Sequence, residues 1–188
     1  LTQVVWLPDN AARLIARDAE RWGLRETGGP LFGYEACGEL VVTEALLPGP
    51  KATHLPFLFR PDRDAVDRAI AEIYERSGGG ERWIGSWHSH PFGRAHPSLL
   101  DRRTAGRVAR EAAVDCPRPL MLIQTTRPSR RGPRADILGS FRWTPGENDL
   151  VEVGLRAGTV GGEGDTHGFR ASSSADAEKQ GGIDGNRR

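Results

Sequence analysis

The segment GSWHSHPFGRAHPSLLD, residues 85–101, gathers the side chains of this chain best suited to holding a metal ion. His88 and His90 stand two apart at the end of a stretch, Arg82–Trp87 running into HSHP, that reads as a strand. Strand side chains alternate between faces, so both imidazoles point the same way and offer two neutral nitrogen donors to one ion. Asp101 follows 11 residues after His90, past a Pro/Gly-containing loop able to fold back. Two histidines and one carboxylate leave a fourth tetrahedral position open, the composition of a catalytic rather than a structural zinc site. Zinc in such a site lowers the pKa of bound water towards about 7 and supplies a nucleophile at neutral pH.

An H-x-H pair alone is weak, because surface histidines are common. Ser98 and Asp101 also form the S-x-x-D pattern of a capping box, in which the serine is the N-cap and the aspartate its first-turn partner. On those two residues alone capping is the simpler reading. The joint spacing favours the chemical one: H-x-H-P, seven residues to Ser98, then Asp101 three further on. Glu26 is one of 25 acidic residues, and a solvated loop glutamate is its plain reading. It precedes TGGPLFG, where glycines permit close backbone approach to a ligand or a neighbouring strand. The G-x-x-x-x-G-K-[ST] spacing of a phosphate loop is absent.

The elements that must position these residues follow from periodicity and punctuation. Val4–Leu7 reads as a strand. A helix capped by Asp9 or Asn10 then runs to Trp22, with Ala11, Ile15, Ala19 and Trp22 on one face and Gly23 as its stop. A hairpin of Pro30–Glu35 and Leu40–Leu46 turns at Gly38. A strand at Leu55–Phe59 precedes a second helix with Pro61 in its first turn and Val66, Ile70 and Ile73 on one face. A third helix runs from Ser98 to Val114. Leu120–Thr125 fits a buried strand, and Ala135–Trp143 and Leu150–Leu155 fit two more. The order β-α-β-β-β-α-β-α-β-β-β makes this an α/β protein, a mixed sandwich in one domain of residues 1–156. Residues 157–188, with a serine run at 172–174 and scattered apolar residues, read as a disordered Gly/Ser-rich tail.

Composition narrows the classes. A net charge of +1 gives no long-range reason to expect nucleic acid, and no apolar run approaches the ~20 residues of a membrane-spanning helix. The opening LTQVVWLPDN lacks a basic start followed by an apolar stretch, so no secretory signal is visible there and the cytoplasm is the default location. Cys37 and Cys116 make no disulfide framework and read as small core residues.

On Glu26, His88-Ser89-His90-Pro91, Ser98 and Asp101, the chain resembles the JAMM (MPN-plus) metalloproteases of the bacterial JAB-domain, deubiquitinase-like type. The context ETGGPLFG, residues 26–33, looks like that family's pattern too. The resemblance spans roughly residues 1–155 in element order, with the specific motif confined to Glu26–Gly33 and Gly85–Asp101. It implies a single α-β-α domain of the MPN/JAB, cytidine-deaminase-like architecture, with one zinc per chain on His88, His90 and Asp101. It further implies Glu26 as general base and Ser98 as donor to the developing oxyanion. The implied activity is a zinc-dependent isopeptidase or peptidase acting at the C-terminal glycine of a ubiquitin-like protein. A ubiquitin-activating-like enzyme of the same operon is a possible partner. Processing of thiocarboxylate sulfur-carrier proteins in cysteine or metabolite biosynthesis is the alternative, and a non-catalytic MPN scaffold a third reading. Nothing in the sequence sets the oligomeric state.

Other features stay in the background. His96 reads as a solvent-facing loop residue, and His54 and His167 lack partners at ligand spacing. Arg127, Arg130, Arg131 and Arg134 read as a solvated hairpin loop, or as a clamp for an acidic protein partner.

Overall fold

A strand and a helix open the described chain with no loop between them: β1 (Val4–Pro8) passes directly into α1 (Asp9–Trp22). The computed structural model describes residues 3–158. The remaining elements are β2 (Gly28–Ala36), β3 (Glu39–Ala45), β4 (Thr53–Leu55), β5 (Leu58–Arg60), α2 (Arg63–Arg76), β6 (Arg82–Pro91), α3 (Leu99–Ala109), β7 (Leu120–Arg127), β8 (Arg134–Thr144), β9 (Asp149–Glu152) and β10 (Gly154–Gly158). Eight strands form one mixed sheet in the order β10-β1-β3-β2-β6-β7-β8-β9, and β4 and β5 form a separate hairpin.

The sheet is curled. β9 and β10 lie at opposite edges, yet only Val153 separates them in the chain. The Val153 amide bonds the Ser140 carbonyl, and the next amide, of Gly154, bonds the Gln3 carbonyl. Two consecutive residues thus tie the two edges together. Small residues let α1 lie close against the sheet: Ala11, Ala12, Ile15, Ala16 and Ala19 are buried. Ala11, Ala12 and Ile15 build one core cluster with Val5, Leu7, Leu31, Trp87 and Leu122. A second cluster uses the alternate residues of β7, Met121 and Ile123, with Phe141, Trp143 and Ala105 of α3. The period-2 alternation of β7 therefore places α1 on one face of the sheet and α3 on the other.

The chain departs from its sequence-based expectations where a local signal competes with packing. Pro8, whose side chain has no acceptor, occupies the N-cap of α1 in place of Asp9 or Asn10. Leu55–Phe59 is not one strand; the chain turns at Pro56 and Phe57, splitting it into β4 and β5. Pro61 precedes α2, because Asp62 is the N-cap and accepts from the Ala65 amide. α3 stops at Ala109 instead of Val114; Ala112 and Val114 are exposed, so the helical spacing there has nothing to pack against. Leu150–Leu155 divides at Val153. Cys37 is exposed in the β2–β3 turn at φ 52°, while Cys116 is half-buried and its thiol is pushed up by burial. β10 takes in Ala157 and Gly158; the rest of the expected tail, residues 159–188 with His167, lies outside the described residues. No helix among the described residues is long and apolar enough to cross a membrane.

Candidate metal centre

In β6 the side chains of Trp87 and Ser89 turn inward, towards the α1 side of the sheet. His88 and His90 therefore share the opposite face, where β7 presents Ile123 beside His88. That is also the side on which α3 packs. After Pro91 the chain reverses: Phe92 adopts φ 54°, its amide bonds the Thr126 carbonyl, and the Gly93 amide bonds the His90 carbonyl. The loop then crosses β8 closely, since a Cβ on Gly139 would lie 2.7 Å from the Ala95 carbonyl oxygen. This delivers the chain to Ser98, the N-cap of α3. There the Ser98 Oγ accepts from the Asp101 amide at 3.2 Å, and the Ser98 amide donates to Asp101 Oδ2 at 2.7 Å.

The capping box and the metal-ligand geometry coexist. Asp101 Oδ1 lies 3.3 Å from His88 Nε2, Asp101 Oδ2 lies 3.5 Å from His90 Nε2, and the two Nε2 atoms are 3.0 Å apart. A tetrahedral ion with bonds of about 2.0–2.1 Å separates its ligand atoms by about 3.3–3.4 Å. Three donors already at those spacings fit one ion. His90 Nδ1 donates to the Arg94 carbonyl at 3.0 Å, which leaves the Nε2 lone pair facing the cluster. Among the described residues His88, His90 and Asp101 are the group of three such donors close enough to share an ion.

Electrostatics favour positive charge at this point. Burial alone would raise the Asp101 carboxyl, but hydrogen bonds from His88, His90 and Ser98 hold it far below the usual carboxylate range. Burial opposes a charged His90, yet Asp101 and the Arg94 carbonyl raise its pKa above the ordinary imidazole value. An ionised carboxylate that stabilises a proton on its neighbour will stabilise a metal cation in the same place.

Glu26 arrives from a different part of the chain. It lies two residues before Gly28, which pairs with His88 in the β2–β6 ladder. The glycines here serve strand contact: a Cβ on Gly28 would fall 2.4 Å from the Trp87 carbonyl oxygen, and one on Gly29 would fall 1.9 Å from the Leu46 carbonyl oxygen. Burial pushes the half-buried Glu26 carboxyl up, charge on His88 and His90 opposes the rise, and Asp101 adds to it. Its carboxyl therefore senses all three candidate ligands.

Other sequence expectations resolve simply. His96 is exposed, its ring tilted against Phe141. Arg127 and Arg134 pair with Asp136 and Glu20, and Arg130 and Arg131 stand exposed at the hairpin turn. Sequence spacing passed over the residues that hold the Glu26 segment. Asp18 Oδ2 accepts from Thr27 Oγ1 at 2.6 Å, Ser89 Oγ accepts from the Thr27 amide at 3.0 Å, and His54 Nδ1 lies 3.0 Å from the Glu26 carbonyl oxygen. Asp18 does leave a trace in the sequence: three residues after Ile15 it falls on the buried stripe of α1, where a lone carboxylate needs a partner.

The comparisons with known proteins agree with this geometry. The family model described as prokaryotic homologs of the JAB domain matches residues 8–136. A protein of Sinorhizobium fredii named probable metalloprotease y4qB is 32% identical over 139 residues, 73% of this chain and 85% of that protein. A protein of Vibrio cholerae named CD-NTase/cGAS isopeptidase is 35% identical over 81 residues, 42% of this chain and about half (51%) of its own length. The solution structure of DSY2949 from Desulfitobacterium hafniense shares the fold, with a TM-score of 0.60 at 18% identity over 84% of this chain and 94% of that one. By sequence, this chain belongs to the family of prokaryotic JAB-domain homologues.

Proposed function

We propose that the chain is a zinc-dependent isopeptidase or peptidase that releases or processes a ubiquitin-like protein at its C-terminal glycine. The observation that carries this reading is the convergence of His88, His90 and Asp101 on one point, beside the carboxyl of Glu26. His88, His90 and Asp101 hold the ion. Zinc in such a site supplies Lewis acidity and makes water acidic enough to attack at neutral pH.

Glu26 takes the proton of the attacking water as its oxygen bonds the scissile carbonyl carbon. It returns that proton to the amine nitrogen as the C–N bond breaks, leaving a carboxylate and a free amine. A carboxyl raised by burial holds a transferred proton better than an exposed one. The Ser98 hydroxyl, at the N-cap of α3 beside Asp101, donates to the developing oxyanion. An extended glycine-rich C-terminus can reach the site as an added strand.

The name of the Vibrio relative, CD-NTase/cGAS isopeptidase, favours an isopeptide bond over sulfur-carrier processing. A ubiquitin-activating-like enzyme of the same operon is the partner this reading proposes. An assembled donor set with Glu26 beside it argues against a scaffold, which has no chemical use for either. The test is to incubate the protein and its Glu26→Ala variant with ubiquitin-like proteins encoded beside it, each carrying a C-terminal fusion, and to read cleavage by mass. Cleavage after the terminal glycine by the wild type alone, with zinc retained in both, is expected. Equal cleavage by Glu26→Ala would remove Glu26 from the mechanism.

A further inference from the structure

Glu26 and Thr27 lie between α1 and β2 and belong to no helix or strand, yet every backbone hydrogen-bonding group of the pair is engaged. The Thr27 amide donates to Ser89 Oγ, and the Ser89 amide donates back to the Thr27 carbonyl at 2.8 Å. This ties residue 27 to the strand that carries both histidines. Residue 26 is held from the other side by the β4–β5 hairpin. Its amide donates to the Leu55 carbonyl at 2.9 Å, and His54 Nδ1 lies 3.0 Å from its carbonyl oxygen. A carbonyl only accepts, so Nδ1 carries the hydrogen. The His54 ring is itself fixed. It stacks on Trp22 with centroids 3.5 Å apart and an 11° interplanar angle, and the tilted Phe59 ring lies 5.6 Å away. Phe59 also meets the backbone at Gly28, where a Cβ would fall 2.9 Å from its ring.

We propose that His54, packed against Trp22 and Phe59, is a positioning residue that fixes the backbone of Glu26 through its Nδ1–H hydrogen bond and so aims the carboxylate at the metal centre. The inference rests on Glu26 being the general base. A base acts only within hydrogen-bond reach of the proton it takes. Misplacement by about 1 Å lowers turnover by about 10²-fold, with little effect on binding made elsewhere. The hydrogen bond of His54 runs to the Glu26 carbonyl and to none of His88, His90 and Asp101, so its loss leaves their donor set intact.

The test compares His54→Phe, which keeps the aromatic stack and loses the donor, with His54→Asn, whose side-chain amide places an N–H near the lost Nδ1. The probe is a linear fusion of a ubiquitin-like protein encoded beside this chain to a reporter after its terminal glycine. The full-length protein, loaded with zinc, is used. For His54→Phe we expect kcat to fall at least tenfold, with KM within twofold of wild type and about one zinc per chain retained. His54→Asn should recover most of kcat, although it lacks the stack. If His54→Phe turns over within twofold of wild type while Glu26→Gln is inactive, His54 has no positioning role and the base assignment stands. If His54→Phe loses zinc or raises KM in step with kcat, and Asn does not restore it, the residue is merely structural and the proposal falls. If wild type leaves the fusion intact, or Glu26→Gln cleaves it normally, the functional reading fails and this inference with it.

Discussion

The two ends of β6 both bury charge, and they do it in opposite ways. At the Arg82 end, Arg142 is buried with its counter-ion supplied: Nη2 donates to Glu35 Oε2 at 2.8 Å and Nε to the Arg118 carbonyl at 3.0 Å. Glu35, Arg82, Cys116 and Arg142 line a cavity of about 90 Å³ there. At the His90 end, a buried carboxylate faces two imidazoles that carry charge only when protonated. The first cluster holds its counter-ion within the protein, although Arg142 Nη1 has no hydrogen-bond partner there. The second is completed by gaining a cation, and its charges reach the half-buried carboxyl of Glu26. Buried charge by itself does not mark a functional site. Charge whose neutralisation the fold leaves to a small cation does.

The contrast is open to attack at its strongest point first. His88→Ala and Asp101→Asn should each reduce zinc from about one per chain to near none and abolish turnover, measured by metal analysis and cleavage assay. Either variant holding a full complement of zinc would remove the proposed distinction between the two ends. Glu26→Gln should keep zinc and lose about 10²–10⁴-fold in turnover, the range of general base catalysis. Ser98→Ala should lower kcat by about 10²–10³-fold if its hydroxyl serves the oxyanion. It should also lower stability by about 1 kcal/mol through the lost cap. Ser98→Asp separates these effects by restoring the cap and not the donor.

At the opposite end, Glu35→Ala should destabilise by about 1–3 kcal/mol in urea melts by stranding the Arg142 charge, with zinc and turnover unchanged. Replacing both partners, as in Glu35→Leu with Arg142→Met, should be milder than Glu35→Ala alone. The smallest effect concerns pH. The hydrogen bond and charge of Arg142 hold the Glu35 carboxyl below its ordinary value of 4.5. Its folded pKa thus lies below its unfolded one. The stability it adds is complete above the unfolded value and is lost as pH falls through the lowered folded value. Urea midpoints taken downwards from about pH 5 should fall less steeply in Glu35→Gln than in wild type.

Much of the convergence of His88, His90 and Asp101 was legible because its determinants are local. The two-residue spacing of His88 and His90 on a strand, and the S-x-x-D start of α3, encode their geometry within a few residues. α1 was legible from its alanine stripe. What escaped was non-local. The Asp18–Thr27–Ser89 latch joins three segments, and its middle link spans 62 residues. His54 had no partner at ligand spacing because its partners, Trp22 and the Glu26 carbonyl, meet it only once the β4–β5 hairpin has folded over. The extent of α3 was misjudged for a related reason: helical spacing continues past Ala109, but the surface that would bury it does not.

The edge-to-edge passage at Val153 also bears on how this molecule is made. β1 pairs with β10 from Val4↔Gly154 onwards, so the first strand of the sheet finds its outer neighbour only after some 150 residues have been synthesised. Contacts of that sequence separation are slow to form because loop closure precedes any gain from pairing. On the ribosome, β1, β3, β2 and β6 can gather with α1 and α3 while β1 still shows an unpaired edge. Closure of the sheet is then the late event, and the one that removes a template for mispairing with another chain.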